Sequence, residues 1–285
     1  MSIWENGPLS TTHQCFVEEH LDGLELVEDM SWGLIDTSVL HVRSSGADFV
    51  VKCAGPTNHH IGREITAHES STQQLVDLGL ASRMIASDRS KNILITTYLQ
   101  GRLAQGSSVE FDYDIHVQAG AALRALHGMD SVMDPDYERR ATEKSLNLLG
   151  QSHRIDPLTA HRARILLTDY RPRPVAVVPT HGDWQPRNWL VHEERLRVID
   201  FGRFEYRPPA TDLCRLAAQQ WSTSNLLEDA FIEGYETDPR DEEVWLIDLL
   251  REAIGTAVWA YQVGDQRFED QGHRMLARAL RRFDK

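Results

Sequence analysis

The segment from His181 to Gly202 constrains this chain most, and it reads HGDWQPRNWLVHEERLRVIDFG. Residues 188–192 and 196–200 are short runs rich in β-forming side chains, and the polar residues 193–195 separate them. This pattern predicts a β-hairpin. Asn188 would open its first strand, and Asp200 would close its second.

The hairpin would bring two oxygen-bearing side chains together. With the turn centred on Glu194, Asn188 and Asp200 would lie opposite one another, with Cα atoms about 5 Å apart. Mg²⁺ takes one or two such protein ligands and completes its coordination with phosphate oxygens and water. We therefore predict that Asn188 and Asp200 bind a nucleotide-associated metal ion. Asp183 precedes Asn188 on the entering loop, where its carboxylate could accept a hydrogen bond from a hydroxyl that attacks a γ-phosphate.

These residues also carry a resemblance to known proteins. The order H-x-D-x-x-x-x-N followed by D-F-G is similar to the catalytic and metal signature of the protein-kinase-like fold. In the form HGD, N and IDFG it resembles the aminoglycoside phosphotransferase and choline kinase family. An ordinary turn and hairpin, with Asp and Asn as turn formers, is the alternative explanation.

The resemblance implies an α+β, two-lobed fold, with a small antiparallel β-sheet lobe and a larger, mainly helical lobe. We expect residues 1–98 to form the nucleotide-binding lobe and residues 99–105 to form a hinge. Residues 106–285 would then form the catalytic and acceptor-binding lobe.

Residues 24–53 read as the strands of the small lobe, after a leading helix within residues 9–22. The segment 31–38 would cover the phosphates, with small side chains at Ser31 and Gly33 that allow close approach of the backbone. Protein-kinase loops of this kind have three glycines, whereas this segment has one, so a plain β-turn is the alternative.

Lys52 lies in an apolar strand, where its ammonium group needs a partner. In the resembled family this lysine contacts the α- and β-phosphates, and a helix glutamate steadies it. A helix predicted over residues 62–78 offers Glu64, favoured by the Arg-Glu opening, and Glu69 in reserve. The resemblance further implies that backbone groups of Thr97 and Leu99 bind an adenine edge.

The region after residue 106 reads as mainly helical, with helices over 114–127 and 158–170. Residues 129–157 read as a mobile insertion or helical arm. After Gly202, only residues 203–210 precede the next helix, which is too short a segment to form the platform that protein kinases offer a polypeptide acceptor.

Three further residues read as scaffold. By the resemblance, Asp212 would brace the catalytic loop and His181 would tie it to the Asp-Phe-Gly segment, while His127 would be a core residue. His59 and His60 read as an exposed loop pair without a metal role.

Composition limits the partners and the compartment. The chain has 285 residues and a net charge of −13, without a basic stripe for nucleic acid. It has no apolar run long enough for a membrane span and no signal-peptide pattern, so we expect a cytoplasmic location. Its three cysteines, Cys15, Cys53 and Cys214, are far apart and predicted to be free thiols. No obligate protein partner is evident.

The predicted activity is transfer of the γ-phosphoryl group of ATP or GTP to a hydroxyl of a small molecule, with Mg²⁺ as cofactor. The acidic carboxyl-terminal helices and the resemblance favour a cationic, aminoglycoside-like antibiotic as the acceptor, and hence a role in antibiotic resistance. The net charge is compatible with a cationic substrate but would serve solubility equally well. Within those helices, the sequence singles out neither Glu252 nor Asp265 as an acceptor ligand. The alternatives are a housekeeping kinase for choline, a sugar, a nucleoside or an amino-alcohol, and a non-catalytic kinase-like binding module.

Overall fold

The computed structural model describes residues 9–31 and 36–284, and they form a small sheet lobe and a larger helical lobe. The small lobe is built on a five-stranded antiparallel sheet in the order β1-β2-β3-β5-β4. Its strands are β1 (Glu25–Asp29), β2 (Thr37–Ser44), β3 (Ala47–Ala54), β4 (Met84–Asp88) and β5 (Ile93–Thr97). The α+β fold class predicted from the sequence is therefore confirmed.

In the described part of this lobe, three helices accompany the sheet: α1 (Thr11–His20), α2 (His60–Ser70) and α3 (Gln73–Asp77). The predicted leading helix is α1, and its Phe16 and Val17 are buried against apolar side chains of the sheet. The predicted helix over 62–78 is instead two helices. Ser and Thr side chains compete for backbone hydrogen bonds, and the hydroxyl of Ser70 donates to the carbonyl of Thr66 at 2.7 Å where α2 ends.

The strands of this lobe differ from the prediction in two places. Met30, Ser31 and Asp36 lie outside the strands, and residues 32–35 are outside the described residues. In addition, β4 was not predicted, since its sequence MIASD lacks a clear alternation of apolar and polar side chains.

The larger lobe contains seven α-helices among the described residues. They are α4 (Tyr113–His127), α5 (Tyr137–Leu148), α6 (Pro157–Asp169), α7 (Cys214–Ala218), α8 (Asn225–Tyr235), α9 (Glu242–Val263) and α10 (Gln266–Arg282). The predicted helices over 114–127 and 158–170 correspond to α4 and α6. The region 129–157, interpreted as an insertion or helical arm, holds α5 together with a short strand.

Helices α4 and α8 pack at backbone distance. A Cβ atom on Gly120 would lie 2.0 Å from the carbonyl oxygen of Phe231, and one on Gly234 would lie 1.9 Å from that of Val117. Both glycines are therefore required by the close approach of the two helices.

Two three-stranded sheets position the loop that begins at His181 and the hairpin after it. The first has the order β11-β8-β7 and the second has the order β10-β9-β6. The strands are β6 (Arg102–Leu103), β7 (Val132–Asp134), β8 (Val175–Thr180), β9 (Trp189–His192), β10 (Arg195–Val198) and β11 (Glu205–Arg207). Because β8 ends at Thr180, the loop starts from a fixed sheet edge.

Large, buried aromatic side chains anchor the loop that begins at His181 and the hairpin that follows it. Trp184, Trp189 and Phe201 are at most 1% exposed. Burial of such side chains contributes several kcal/mol each at about 25 cal/mol per Å² of apolar surface. The polar residues between them are thereby held on a rigid base. None of the helices in the described residues is long and apolar enough to cross a membrane.

Candidate active site

The predicted hairpin forms, but its register differs by one residue from the prediction. His192 pairs with Arg195 and Trp189 pairs with Val198, so the turn consists of Glu193 and Glu194 alone. Both turn residues have positive φ, 49° and 62°, as in the two-residue turns whose twist matches that of paired strands. The prediction that the turn is centred on Glu194 was therefore wrong.

As a consequence, Asn188 does not lie opposite Asp200. The amide of Ile199 donates to the carbonyl of Asn188 at 3.0 Å, and Asp200 follows beyond the ladder. The backbone of Asp200 is left-handed, with φ of 68°, which turns the chain as it leaves the hairpin. Local backbone conformation, rather than direct pairing of strands, places this carboxylate.

The loop before the hairpin is braced as the sequence predicted. The carboxylate of Asp212 accepts hydrogen bonds from the amides of His181 and Gly182, at 2.8 and 2.6 Å. His127 contacts the same carboxylate at 3.2 Å from within the core. The Nδ1 atom of His181 accepts from the amide of Asp183, so its Nε2–H donates to the carbonyl of Ile199 at 3.0 Å and ties the loop to the hairpin.

Gly182 is the tightest point of this loop. Its φ is 79°, and a Cβ atom there would lie 2.3 Å from both the carbonyl oxygen of Arg203 and a guanidinium nitrogen of Arg207. A residue with a Cβ atom would not fit at this position without a shift of the neighbouring backbone. The loop and the segment after Gly202 are therefore in direct backbone contact.

Lys52 reaches from β3 into the cleft and pairs with Glu64 of α2. Its Nζ atom lies 2.8 and 3.0 Å from the two carboxylate oxygens of Glu64 and 3.5 Å from Oδ1 of Asp200. Burial alone would lower the pKa of Lys52, but the two carboxylates outweigh it and raise that pKa, so the ammonium stays charged. The reserve candidate, Glu69, instead pairs with Arg89 on the surface at 2.5 Å.

Asn188 and Asp200 each carry a side-chain oxygen of the kind that Mg²⁺ prefers. The amide nitrogen of Asn188 donates to the backbone carbonyl and to Oδ2 of Asp183, at 2.8 and 2.9 Å, which leaves its amide oxygen as an acceptor. The side chain of Asp200 is 49% exposed toward the cleft. In the described part of the chain, no group of three or more His, Cys, Asp or Glu side chains could hold a metal ion. Two oxygen ligands completed by phosphate are what Mg²⁺ commonly accepts.

The surroundings of Asp183 were not predicted. Its side chain is only 2% exposed, and two arginines contact it from different elements. Arg215 of α7 donates to Oδ1 at 3.0 Å, whereas Arg187 reaches Oδ2 at 2.5 Å. Gln185 also donates to Oδ1, at 2.6 Å. Both carboxylate oxygens are therefore occupied, and any hydroxyl that were to bind Asp183 would have to displace a donor.

These contacts fix the charge of Asp183. Burial alone would raise the pKa of this carboxyl, but Arg215, Arg187 and Arg203 outweigh it and hold the pKa well below its usual range. Asp183 is therefore ionised throughout the physiological pH range. It is suited to orient a hydroxyl and is a weak base before the reaction begins.

The carboxyl-terminal helices complete this end of the cleft. Glu252 of α9 pairs with Arg215 at 2.9 Å, so it lies one guanidinium group away from Asp183. Asp265, the other candidate from the sequence, caps α10 instead and accepts from the amide of Phe268 at 3.0 Å. The sequence could not separate the two carboxylates, because only the packing of α9 beside α7 brings one of them to the site.

The predicted phosphate loop falls partly outside the described residues, and the predicted hinge follows strand β5. The Ser31 side chain is turned toward strand β2, since its hydroxyl accepts a hydrogen bond from the amide of Val39 at 3.0 Å. Gly33 lies outside the described residues. At the hinge, the amide of Thr97 donates to the carbonyl of Arg83 at 2.9 Å. Leu99 follows as the chain leaves the sheet.

His60 is a contact that sequence reasoning missed. It was interpreted as part of an exposed loop, but it begins α2, and its Nδ1 atom lies 2.8 Å from the carbonyl oxygen of Gly202. The small lobe is thus linked directly to the Asp-Phe-Gly segment. A histidine pair in a polar stretch gave no signal for this link.

Solved structures share this fold over nearly the whole chain. Choline kinase LicA from Streptococcus pneumoniae matches with a TM-score of 0.68 and 17% identity, covering 96% of this chain and 100% of that chain. Macrolide 2'-phosphotransferase MphH from Brachybacterium faecium matches with a TM-score of 0.60 and 20% identity, over 92% and 96% of the two chains. An aminoglycoside phosphotransferase in complex with ADP and hygromycin B matches with a TM-score of 0.67 and 13% identity, over 95% and 98%.

Sequence comparison gives the family. No curated protein sequence matches this chain. The model of the phosphotransferase enzyme family, in contrast, matches residues 32–245, which include the predicted lysine, the loop from His181 and the whole hairpin. This chain therefore belongs to the phosphotransferase enzyme family and has its two-lobed, protein-kinase-like fold.

Proposed function

We propose that this protein is a Mg²⁺-dependent kinase that transfers the γ-phosphoryl group of ATP, or of GTP, to a hydroxyl of a small molecule. The observation that carries the proposal is the continuous chain of charges from Glu64 through Lys52 to Asp200, which lies beside the pair formed by Asn188 and Asp183. Phosphoryl transfer depends mainly on positioning and on neutralising phosphate charge, and these groups are suited to both.

Each group has a proposed role at the nucleotide. Lys52 would hold the α- and β-phosphates, and Glu64 would orient Lys52. Asn188 and Asp200 would hold Mg²⁺, which when bound neutralises charge on the phosphates and orients them. Backbone groups of Thr97 and Leu99 would bind the adenine edge, and the segment containing Ser31 and Gly33 would cover the phosphates.

Asp183 would position the acceptor. The acceptor hydroxyl oxygen forms a bond to the γ-phosphorus as the bond from that phosphorus to the β,γ-bridging oxygen breaks, and the nucleoside diphosphate leaves. The hydroxyl proton passes to Asp183 and then to water. Because the Asp183 carboxylate is a weak base, this proton leaves late, when the new bond has largely formed.

Two classes of acceptor are candidates for this kinase. The sequence favoured a cationic, aminoglycoside-like antibiotic, with a housekeeping metabolite as alternative, and the solved structures with this fold include kinases named for each. A role in antibiotic resistance and a cytoplasmic location stay predictions, as do the boundaries at residues 98 and 105.

Calorimetry with the full chain tests the nucleotide part. We expect ATP to bind more tightly in the presence of Mg²⁺, and we expect Asp200→Ala to abolish this Mg²⁺-dependent gain. In a coupled assay of ADP release, the same substitution should lower turnover by about 10²- to 10³-fold. Asp229→Ala, on the exposed side of α8, is the matched control.

Two results would count against the proposal. Unchanged Mg²⁺ dependence in Asp200→Ala would show that the metal is held elsewhere. If the protein bound Mg²⁺ and ATP but formed no ADP in the presence of any cationic, neutral or anionic acceptor, a non-catalytic binding module would be favoured.

A further inference from the structure

Arg203 lies next to Gly202, at the end of the cleft that contains Asp183 and Glu252, which we call the acceptor end. Its guanidinium group stacks over the ring of Trp259 of α9, with 5.6 Å between the central carbon and the ring centroid. The side chain is half-buried, yet within the described residues it donates no hydrogen bond and forms no ion pair. A guanidinium group held in place without an anion is an unfilled recognition element.

The neighbouring acids are already committed. Asp183 is bound by Arg187 and Arg215, and Glu252 is bound by Arg215. Three guanidinium groups therefore face two carboxylates, and the surplus positive charge lies on Arg203. Burial above all, together with the nearby Arg215, lowers the pKa of Arg203 by more than Asp183 and Glu252 raise it, which agrees with a positive charge that is only partly compensated.

The aromatic side chains of this region also disfavour a quaternary ammonium acceptor. Such groups are recognised by open aromatic faces. Here Arg203 covers Trp259, whereas Arg187 and Arg215 lie over Phe268 at 6.0 and 5.3 Å from its centroid. A cationic acceptor would have to displace guanidinium groups from these rings and would meet their charge.

We infer that the acceptor carries, beside the hydroxyl that is phosphorylated, an oxyanion group, carboxylate or phosphate, which Arg203 binds. This inference rests on the proposed kinase function and specifies its substrate class. It departs from the expectation of a cationic acceptor, because the net charge of −13 belongs to the whole chain whereas recognition depends on the few charges within reach of Asp183.

A panel of acceptors that differ in charge tests the inference. The full chain would be assayed for ADP release with glucose, glucosamine and gluconate, with glycerol, glycerate and glycerol 3-phosphate, and with choline and kanamycin. We expect turnover to be concentrated in the anionic compounds, and the carboxylates compared with the phosphate compound distinguish the two oxyanions.

Variants of Arg203 then separate acceptor binding from nucleotide binding. Loss of a hydrogen bond to a charged group should raise the KM for the anionic acceptor by about tenfold to hundredfold in Arg203→Ala. The KM for ATP should stay nearly constant, and Arg203→Lys should restore part of the acceptor affinity. Arg195→Ala, at the exposed start of β10, should change neither value.

Three outcomes would overturn the inference while leaving the kinase function intact. The first is preferred turnover of choline or kanamycin. The second is an increase in the KM for ATP, rather than for the acceptor, in Arg203→Ala. If no compound is turned over, the complex of the protein with Mg²⁺ and ATP would be titrated with gluconate and with inorganic phosphate while the fluorescence of Trp259 is followed, with Trp259→Phe as reference. The third overturning outcome is that neither anion gives a saturable change in this fluorescence. Absence of Mg²⁺–ATP binding by calorimetry would instead reject the proposed function itself.

Discussion

Asp183 is both a candidate catalytic group and a structural one. Its carboxylate, 2% exposed, is the shared partner of Arg215 and Arg187. A buried arginine that loses its carboxylate keeps its charge without compensation, which costs more than the ion pair contributes when intact. Substitution of Asp183 therefore has consequences for stability as well as for chemistry.

We expect Asp183→Ala to lower the free energy of unfolding by about 3–5 kcal/mol. Combining it with Arg215→Met should cost less than the sum of the two single changes, because the double variant no longer buries the unpaired guanidinium group of Arg215. Urea unfolding of the four proteins measures this coupling. Strict additivity would show that Asp183 and Arg215 do not stabilise one another.

The pair of Lys52 and Glu64 allows a matched comparison on one helix. Glu64→Gln should lower kcat/KM for ATP by about tenfold to hundredfold, because Lys52 loses the charged partner that fixes its position. Glu69→Gln, five residues along α2, removes only a surface pair with Arg89 and should have little effect. Steady-state kinetics with varied ATP checks both. Equal effects would mean that the two glutamates were wrongly distinguished.

At the scale of elements, the hairpin that carries Asn188 has an unfavourable turn. Glu193 and Glu194 both adopt positive φ and place two like charges side by side, whereas such turns favour Asn-Gly. The double substitution Glu193→Asn and Glu194→Gly should raise the free energy of unfolding by about 1 kcal/mol. Activity should not change, because the turn lies at the far end of the hairpin from the site.

The control for this prediction replaces both turn residues by Gln, which removes the charges but keeps the backbone strain that a residue with a Cβ atom has at positive φ. Denaturant unfolding of both double variants distinguishes the causes. If the Gln variant gained as much stability as the Asn-Gly variant, charge repulsion rather than backbone conformation would be responsible.

The same hairpin shows how far the sequence could be interpreted. Its β-forming residues and the polar break between them were sufficient to predict two strands, and the apolar period predicted α4 and α6. The register was wrong by one residue, because turn length is set by backbone dihedral angles that the side chains Glu193 and Glu194 do not indicate.

The residues around Asp183 could be predicted only in part. Asn188 and Asp200 could be named as candidates because their spacing along one motif is local. Arg215 and Glu252 were not assigned, since they reach the site from α7 and α9, and only tertiary packing brings those helices together. Arg203 gave no signal, because an arginine after a turn is ordinarily exposed to solvent.

At the scale of the whole molecule, a second buried group of charges joins α5 to α9. Arg251 lies 2.9 Å from Glu138 and 3.2 Å from Asp248, and all three side chains are at most 8% exposed. Two carboxylates thus share one guanidinium group. Burial above all, with the nearby Glu138, raises the pKa of Asp248 to about 7.

This raised pKa predicts a pH dependence of stability. In the unfolded chain Asp248 loses its proton near pH 4, whereas in the folded protein it keeps that proton up to about pH 7. Stability associated with the protonated form is therefore present at low pH and is lost as pH rises from about 4 to 7. Asp248→Asn cannot lose a proton, so its stability relative to the natural protein should increase over that window, by up to about 1.4 kcal/mol per pH unit.

Thermal unfolding of both proteins between pH 5 and pH 8 measures the difference. Asp229→Asn, on the exposed side of α8, is the control and should show no such trend. A constant difference between Asp248→Asn and the natural protein across this range would contradict the assignment of Asp248.

Helix α9 carries both Glu252 and Trp259 of the acceptor end and the buried Asp248 and Arg251. Substitutions in α9 that adapt the site to a new acceptor are constrained, because a shift of this helix would also disturb the buried contacts that the pair of Asp248 and Arg251 makes with α5. Evolutionary novelty should instead accumulate at Arg203, in the short stretch after Gly202, where a side chain can be exchanged without disturbing the frame of the lobe.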